Sequence, residues 1–236
     1  MAVTVAGLPD LFVFEREARE KGHVRIAGVD EVGRGPLAGP VVVAAVILPA
    51  DGLSLPVNDS KALSAKQRKV LADALHELPG ITISLALVSP ADIDRVNILN
   101  ATHSAMREAV QTLVPPADFA LIDGLPVPSF PLPNKALVKG DARSASIAAA
   151  SIIAKVYRDR LMVDLDGKFP GYGFAQHKGY GTAKHIEALN KLGPCDIHRK
   201  TFAPVRRLIQ PPPEQMEFGF PPGTPNSLVS PDQPGQ

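Results

Sequence analysis

Two adjacent carboxylates, Asp30 and Glu31, close an apolar stretch that begins at Ile26 and run straight into Gly33-Arg34-Gly35. Neighbouring residues on a strand project to opposite faces, so both acids serve one site only if the strand bends or one of them reaches around. Gly33 and Gly35 permit such a bend and let a ligand approach the backbone. Carboxylates beside a glycine-rich turn suit a hard divalent cation and a phosphate-bearing substrate. Two more acids occupy comparable places. Asp123 precedes Gly124 at the end of an apolar segment, and Asp141 follows Lys139-Gly140 ahead of a run of small residues. Ligands of open α/β sheets bind at strand ends. If these strands are neighbours, four carboxylates share one rim, where they repel unless cations intervene. Oxygen-only ligands favour magnesium or manganese over zinc. Each acid also has an ordinary reading: an exposed strand end for Asp30 and Glu31, a turn for Asp123-Gly124, a helix N-cap for Asp141. Their common placement favours the shared site.

The elements that must position these acids follow from pattern. Residues 10–21 read as a short helix capped by Asp10 and closed by Gly22. Residues 24–32 and 41–48 read as strands joined in a hairpin. Ser64 caps a helix to about residue 78. Residues 81–88 alternate as a third strand, and Pro90 opens a helical stretch to 113 with a break near Asn97. Residues 119–123 and 136–138 are short strands. A helix over 142–165 has almost only small residues from 144 to 154, which suits close packing on a sheet. A glycine-rich basic segment, 170–182, is followed by a last short helix at 183–191, and residues 202–208 close the fold. The order of elements indicates an α/β domain with a mixed sheet.

Composition narrows the function classes. The one cysteine, Cys195, excludes an intrachain disulfide and a thiolate metal cage, and reads as buried filler. No apolar run approaches the roughly 18 residues that span a bilayer, and the first eight residues lack a basic start, so a cytoplasmic, membrane-free and monomeric protein is expected. Charge is uneven: residues 1–130 carry 11 basic and 15 acidic side chains, residues 131–210 carry 14 and 6, and residues 211–236 carry none and 3. The basic stretch fits a polyanion-binding face or a set of solvated helix faces. Residues 211–236 hold 8 prolines and read as a disordered tail beyond a domain at 1–210.

These residues resemble bacterial ribonuclease HII, a type 2 ribonuclease H. The likeness rests on the block at residues 26–40, on Asp59-Ser60-Lys61, on residues 121–124, on Lys139-Gly140-Asp141 with the helix after it, and on His177 to Thr182 with His185. It implies a ribonuclease H-like mixed sheet flanked by helices, with a C-terminal helical extension. It also implies hydrolysis of the RNA strand of RNA–DNA hybrids and nicking 5′ of a ribonucleotide embedded in duplex DNA, by two divalent cations, Mg2+ or Mn2+. The alternative is a non-catalytic hybrid-binding protein, against which the intact acid set argues. By the resemblance Asp30, Glu31, Asp123 and Asp141 are the catalytic, metal-binding set, Gly33, Arg34 and Gly35 contact the ribose 2′-hydroxyl, and Tyr180 packs on the neighbouring sugar. Lys61, Lys139, Arg143 and Lys178, with Lys184, are candidates for phosphate contacts. His177 and His185 are expected in substrate contact or structure, since hard cations take oxygen. Thr201 stands where the family usually has serine and keeps the hydroxyl. In the tail, Gln215 with apolar anchors at Met216, Phe218 and Phe220 resembles a peptide that docks on the bacterial sliding clamp.

Overall fold

Strand β2 (Val41–Ile47) has no polar residue and is buried along its whole length. A strand covered on both faces must lie inside a layered sheet. In the computed structural model, which describes residues 10–50 and 63–210, it pairs antiparallel with β1 (Ile26–Val32) and with β3 (Thr82–Val88). On the other side of β1, β4 (Phe119–Asp123) and then β5 (Asn134–Leu137) add in parallel, giving the order β3-β2-β1-β4-β5. The mixed sheet expected from the sequence is therefore present. Lys61 and the 211–236 tail lie outside the described residues.

The two faces have different coverings. Val42, Ala44 and Val46 pack against α2 (Ala65–His76) and the long α5 (Ala145–Lys168), whereas Val43, Ala45 and Ile47 pack against α4 (Ile98–Gln111). The small residues of α5 have a direct consequence. A Cβ on Gly28 of β1 would sit 2.0 Å from the Ser146 carbonyl carbon and 2.2 Å from the Ile147 nitrogen. Backbone of strand and helix meet there, and only glycine fits.

The start of α5 is fixed from a distance. Buried Glu15, on α1 (Val13–Glu20), accepts hydrogen bonds from Ser144 Oγ at 2.7 Å, Ser146 N at 2.9 Å and Ser146 Oγ at 2.7 Å. A carboxylate at a helix N-terminus meets otherwise unpaired amides and the positive end of the dipole. Ser144, whose Oγ accepts from Ile147 N, is the N-cap. Asp141 lies earlier, in a 3-10 turn (Gly140–Ala142), so its reading as the cap is overturned. Asp10 likewise does not cap α1; it accepts from Phe12 N at 3.0 Å and pairs with Arg16. Asn97, at φ 67°, breaks α3 (Pro90–Val96) from α4 where the sequence places the break.

Helices α6 (Phe174–His177), α7 (Ala183–Leu192) and α8 (Ala203–Ile209) form the C-terminal extension; α6 was not expected within the glycine-rich segment. Leu37 and Ala38, from the loop between β1 and β2, pack into this extension beside Leu189 and Val205, and beside Met162, Tyr172 and Phe174. The carboxylate of Asp94 in α3 accepts from Lys200 N, Thr201 N and, at 2.6 Å, Thr201 Oγ1, so the threonine hydroxyl makes the contact a serine would make. Among the described residues no helix is long and apolar enough to cross a membrane.

Replacing Gly28 by Ala forces α5 away from the sheet. Overpacking of this kind costs about 3 kcal/mol or more, so the melting temperature of Gly28→Ala should fall by roughly 6–12 °C in a thermal melt.

Candidate active site

Pairing sets the site. The last paired residues of β1 and β4 are Val29 and Ile122, so the next residues, Asp30 and Asp123, emerge side by side at the same sheet end. Asp30 pairs across the sheet with Ala44 and projects to the α5 face; Glu31 pairs with Val43 and projects to the α4 face. The acids thus leave opposite faces, as strand geometry requires, and both still line one cleft of about 390 Å³ together with Asp123. The cleft lies at the edge of the sheet, where a side chain from either face can turn into it.

The electrostatics of the cleft are unfavourable to its own charges. Asp30 is 6% exposed. Burial first, and then the negative charges of Glu31 and Asp123, push its pKa well above the usual carboxylate range, against a hydrogen bond from Ser151 and one from the Glu31 amide at 2.8 Å. Burial also raises Glu31, against the Arg34 guanidinium at 3.1 Å. Asp123 is steadied by the Gly140 amide, 2.6 Å from Oδ1, which ties the turn holding Asp141 to the end of β4. Asp141 is itself buried and does not line the cleft.

The rest of the rim comes from the chain's basic half and from the glycine turn. Gly33 and Tyr180 line the cleft, and the Tyr180 ring lies against Gly35, 3.9 Å from where its Cβ would be. Lys155 and Arg68 line it too, as does Ser151; none of the three was singled out from the sequence. Ser151 and Lys155 share a face of α5 four residues apart, a spacing visible in sequence only once that helix is known to cross Asp30. Of the expected phosphate contacts, Lys139 is exposed after β5, in a left-handed conformation. Arg143 donates to the Val138 carbonyl at 3.2 Å and lies over the Phe14 ring, and Lys178 Nζ donates to the Ala175 carbonyl; neither lines the cleft.

Two arginines with no solvent exposure brace the rim. Arg199 donates to the carbonyls of Gly33 (2.5 Å), Arg34 (2.8 Å) and Gly39 (2.8 and 3.0 Å). Arg158 donates to those of Ala38 (3.1 Å), Pro40 (2.9 Å) and Lys178 (3.0 Å). Among the described residues neither pairs with a carboxylate. Burial and, next, the Arg158 charge lower the Arg199 pKa to about 9. Gly33, at φ +92°, would place a Cβ 2.2 Å from Arg158 Nε, so both its conformation and the bracing arginine demand glycine. The Gly33–Gly35 turn is therefore a rigid cradle with a cationic underside.

Among the described residues no three His, Cys, Asp or Glu side chains close into a metal cage. The donor set nevertheless suits a hard cation. Mg2+ keeps several waters and is bound by one or two carboxylates plus substrate phosphate rather than by an all-protein cage. An aspartate whose pKa is raised by desolvation and then by like charges is also the group that such a cation would relieve. Cys195 is half-buried and hydrogen-bonded rather than inert filler, and His177 and His185 bond backbone carbonyls.

The sequence model of the family described as Ribonuclease HII matches residues 27–205. A ribonuclease HII from Chlamydia trachomatis serovar A is 53% identical over 198 residues, 84% of this chain and 91% of that protein. The ribonuclease H2 of Pyrococcus horikoshii OT3 has a similar structure, with a TM-score of 0.67 at 27% identity over 78% of this chain and 97% of that one. A chain of the PCNA:RNase HII complex from Archaeoglobus fulgidus matches at a TM-score of 0.62 and 31% identity, covering 71% of this chain and 88% of that one. The matches span the sheet, the carboxylate cleft and the braced loops alike, and on that ground the chain belongs to the ribonuclease HII family and is a divalent-metal-dependent endonuclease acting on the RNA strand of RNA–DNA hybrids.

Proposed function

We propose that Asp30, Glu31, Asp123 and Asp141 hold two divalent cations, Mg2+ or Mn2+, and that the enzyme cuts 5′ of a ribonucleotide in duplex DNA to leave 5′-phosphate and 3′-hydroxyl ends. One observation carries this reading: Asp30, Glu31 and Asp123 enter a single cleft whose rim holds Gly33 and Tyr180. Bound cations supply an activated water and stabilise the leaving oxygen. The chain's own residues supply position. Ser151 and the Glu31 amide aim the Asp30 carboxylate. Gly140 aims that of Asp123 and draws the Asp141 turn toward it. Arg199 holds the Gly33-Arg34-Gly35 cradle by its carbonyls, which leaves the turn's amides for the 2′-hydroxyl; the Arg34 side chain reaches it by leaving its present partner Glu31. That hydroxyl both donates and accepts, and is what separates RNA from DNA. Tyr180, 42% exposed beside Gly35, packs on the next sugar, where a second hydroxyl would be crowded. Lys155 and Arg68 in the cleft, Lys139, Arg143 and Lys178 outside its lining, and Lys61 beyond the described residues take phosphates, Arg143 and Lys178 by leaving their present carbonyl partners. We further propose that Gln215 to Phe220 docks on a sliding clamp; the Archaeoglobus complex with PCNA supports this for a relative.

A duplex DNA with one ribonucleotide, end-labelled and incubated with Mg2+ or Mn2+, should be nicked on the 5′ side of that residue, and Asp30→Asn should lower the rate by at least about 100-fold; a cut elsewhere, or equal cutting of all-DNA duplex, refutes the reading. The same variant tests the electrostatics. Because the Asp30 pKa is raised on folding, the unfolded chain holds fewer protons between the ordinary aspartate range and the raised value. Stability of the metal-free protein therefore falls as pH rises through that interval. At neutral pH Asp30→Asn should melt roughly 2–4 °C higher than the wild type, the change that about 1 kcal/mol produces at this size, and Mg2+ should stabilise only the wild type. Capture of the enzyme by immobilised clamp should be lost on deleting residues 211–236; equal recovery with and without them refutes the docking peptide.

A further inference from the structure

Tyr180 stands between two glycines in a loop that carries no regular structure, so something outside the loop must fix its direction. Gly179, at φ +83°, would place a Cβ 2.4 Å from the Ala38 carbonyl oxygen, and its own carbonyl accepts from Leu37 N at 2.8 Å. The Tyr180 carbonyl accepts from Thr182 N at 2.8 Å and from His185 Nδ1 at 2.9 Å. His185 is fully buried and leads to a second buried histidine, His198, whose Nε2 lies 3.1 Å from His185 Nε2. Beyond it, His198 Nδ1 lies 3.0 Å from Cys195 N and 3.1 Å from Cys195 Sγ.

The protons of this chain follow by elimination. A carbonyl only accepts, so His185 Nδ1 carries the hydrogen that meets Tyr180. In a neutral ring His185 Nε2 is then bare, and the facing His198 Nε2 must donate to it. His198 Nδ1 is then bare in turn and accepts from the Cys195 amide, which can only donate. The series begins at a group that cannot accept and ends at one that cannot donate, so it runs one way, from residue 195 to residue 180. A further proton on either ring would set N–H against N–H across 3.1 Å. Burial lowers the pKa of both imidazoles, that of His198 to about 4. His177 runs separately: its Nε2 donates to the Tyr172 carbonyl at 2.8 Å and its Nδ1 accepts from Gly179 N at 3.2 Å. Its ring stacks on His185 at 4.4 Å, and Phe174 meets both His185 and His198, at 5.4 and 5.6 Å. The rings are wedged among aromatic neighbours, and the chain acts as a strut.

We propose that His185 and His198, continued by Cys195, are positioning residues: their one-way hydrogen-bond chain fixes the Tyr180 carbonyl and thereby aims the Tyr180 ring at the sugar beside the cut. The proposal rests on the reading of Tyr180 as the sugar-packing residue. It makes no demand on cation binding, since the chain touches none of the cleft carboxylates.

Two measurements test it. Nitrogen-15 NMR of the ring nitrogens in the wild-type protein at neutral pH should show His185 protonated on Nδ1 and His198 on Nε2; the opposite tautomer at either ring overturns the chain. Kinetics on duplex DNA with one ribonucleotide should show kcat reduced roughly 10- to 100-fold in His198→Phe, which keeps an aromatic ring but cannot donate, with an unchanged Mg2+ midpoint. His198→Gln, whose amide can donate toward His185, should recover most of the rate. Combined with Tyr180→Ala, His198→Phe should add no further loss, because both act through one ring. Full activity of Tyr180→Ala would refute the reading of Tyr180 and the aiming role with it. A slow Tyr180→Ala beside a fully active His198→Phe, or independent losses in the double variant, would refute the histidine chain alone.

Discussion

Like charges gathered where two parallel strands end are the constraint around which this molecule is arranged. Parallel pairing of β1 with β4 puts Asp30 beside Asp123, and the sheet edge lets Glu31 join them from the opposite face. Local groups compensate in part: the Ser151 hydroxyl and an amide at Asp30, the Gly140 amide at Asp123, the Arg34 guanidinium at Glu31. What remains is a buried aspartate with raised proton affinity. A hydrophobic residue there would relieve that strain, so the stability cost is the kind that proteins bear where function requires it.

The cationic side is built differently. Among the described residues Arg158 and Arg199 form no ion pair with a carboxylate; their guanidinium groups are spent on six backbone carbonyls of the loops around residues 33–40 and 178. Carbonyl oxygens carry partial negative charge, so each guanidinium is solvated by backbone in place of water, and burial becomes tolerable. Two results come from one device. The glycine turn loses the freedom that its composition would give it, and two positive charges lie beneath it.

How much of this was legible in the sequence depends on the range of the interaction. Local chemistry was readable: the Ser64 cap, the break at Asn97 and the Asp123 strand end all stand where the residues place them. Capping by Asp10 and Asp141 failed, because each has a better-placed competitor or partner: Ser144 for α5, and Arg16 with the Phe12 amide for Asp10. Arg158 and Arg199 were illegible for a simple reason. Their partners lie up to 166 positions away, and nothing in a basic residue's neighbours says whether it faces solvent or solvates a distant loop. Ser151 looks like filler within a run of small residues, and Lys155 like a solvated lysine just past it, until the helix is known to cross β1 over Asp30. The opposite projection of Asp30 and Glu31 was predictable; that a sheet edge would make it harmless was not.

The Gly140 amide bond to Asp123 bears on the fourth acid. Asp141 is buried one residue beyond the donor, in a turn preceded by Lys139 in a left-handed conformation. A Cβ on Gly140 would stand 2.7 Å from the Ile147 side chain and 3.2 Å from Asp123 Oδ1, so the turn is pressed between α5 and the strand end. Asp123 and the Asp141 turn are therefore held against each other. The Gly140 amide bond to Asp123 thus ties the turn that carries Asp141, an acid outside the cleft lining, to the strand end that enters the cleft.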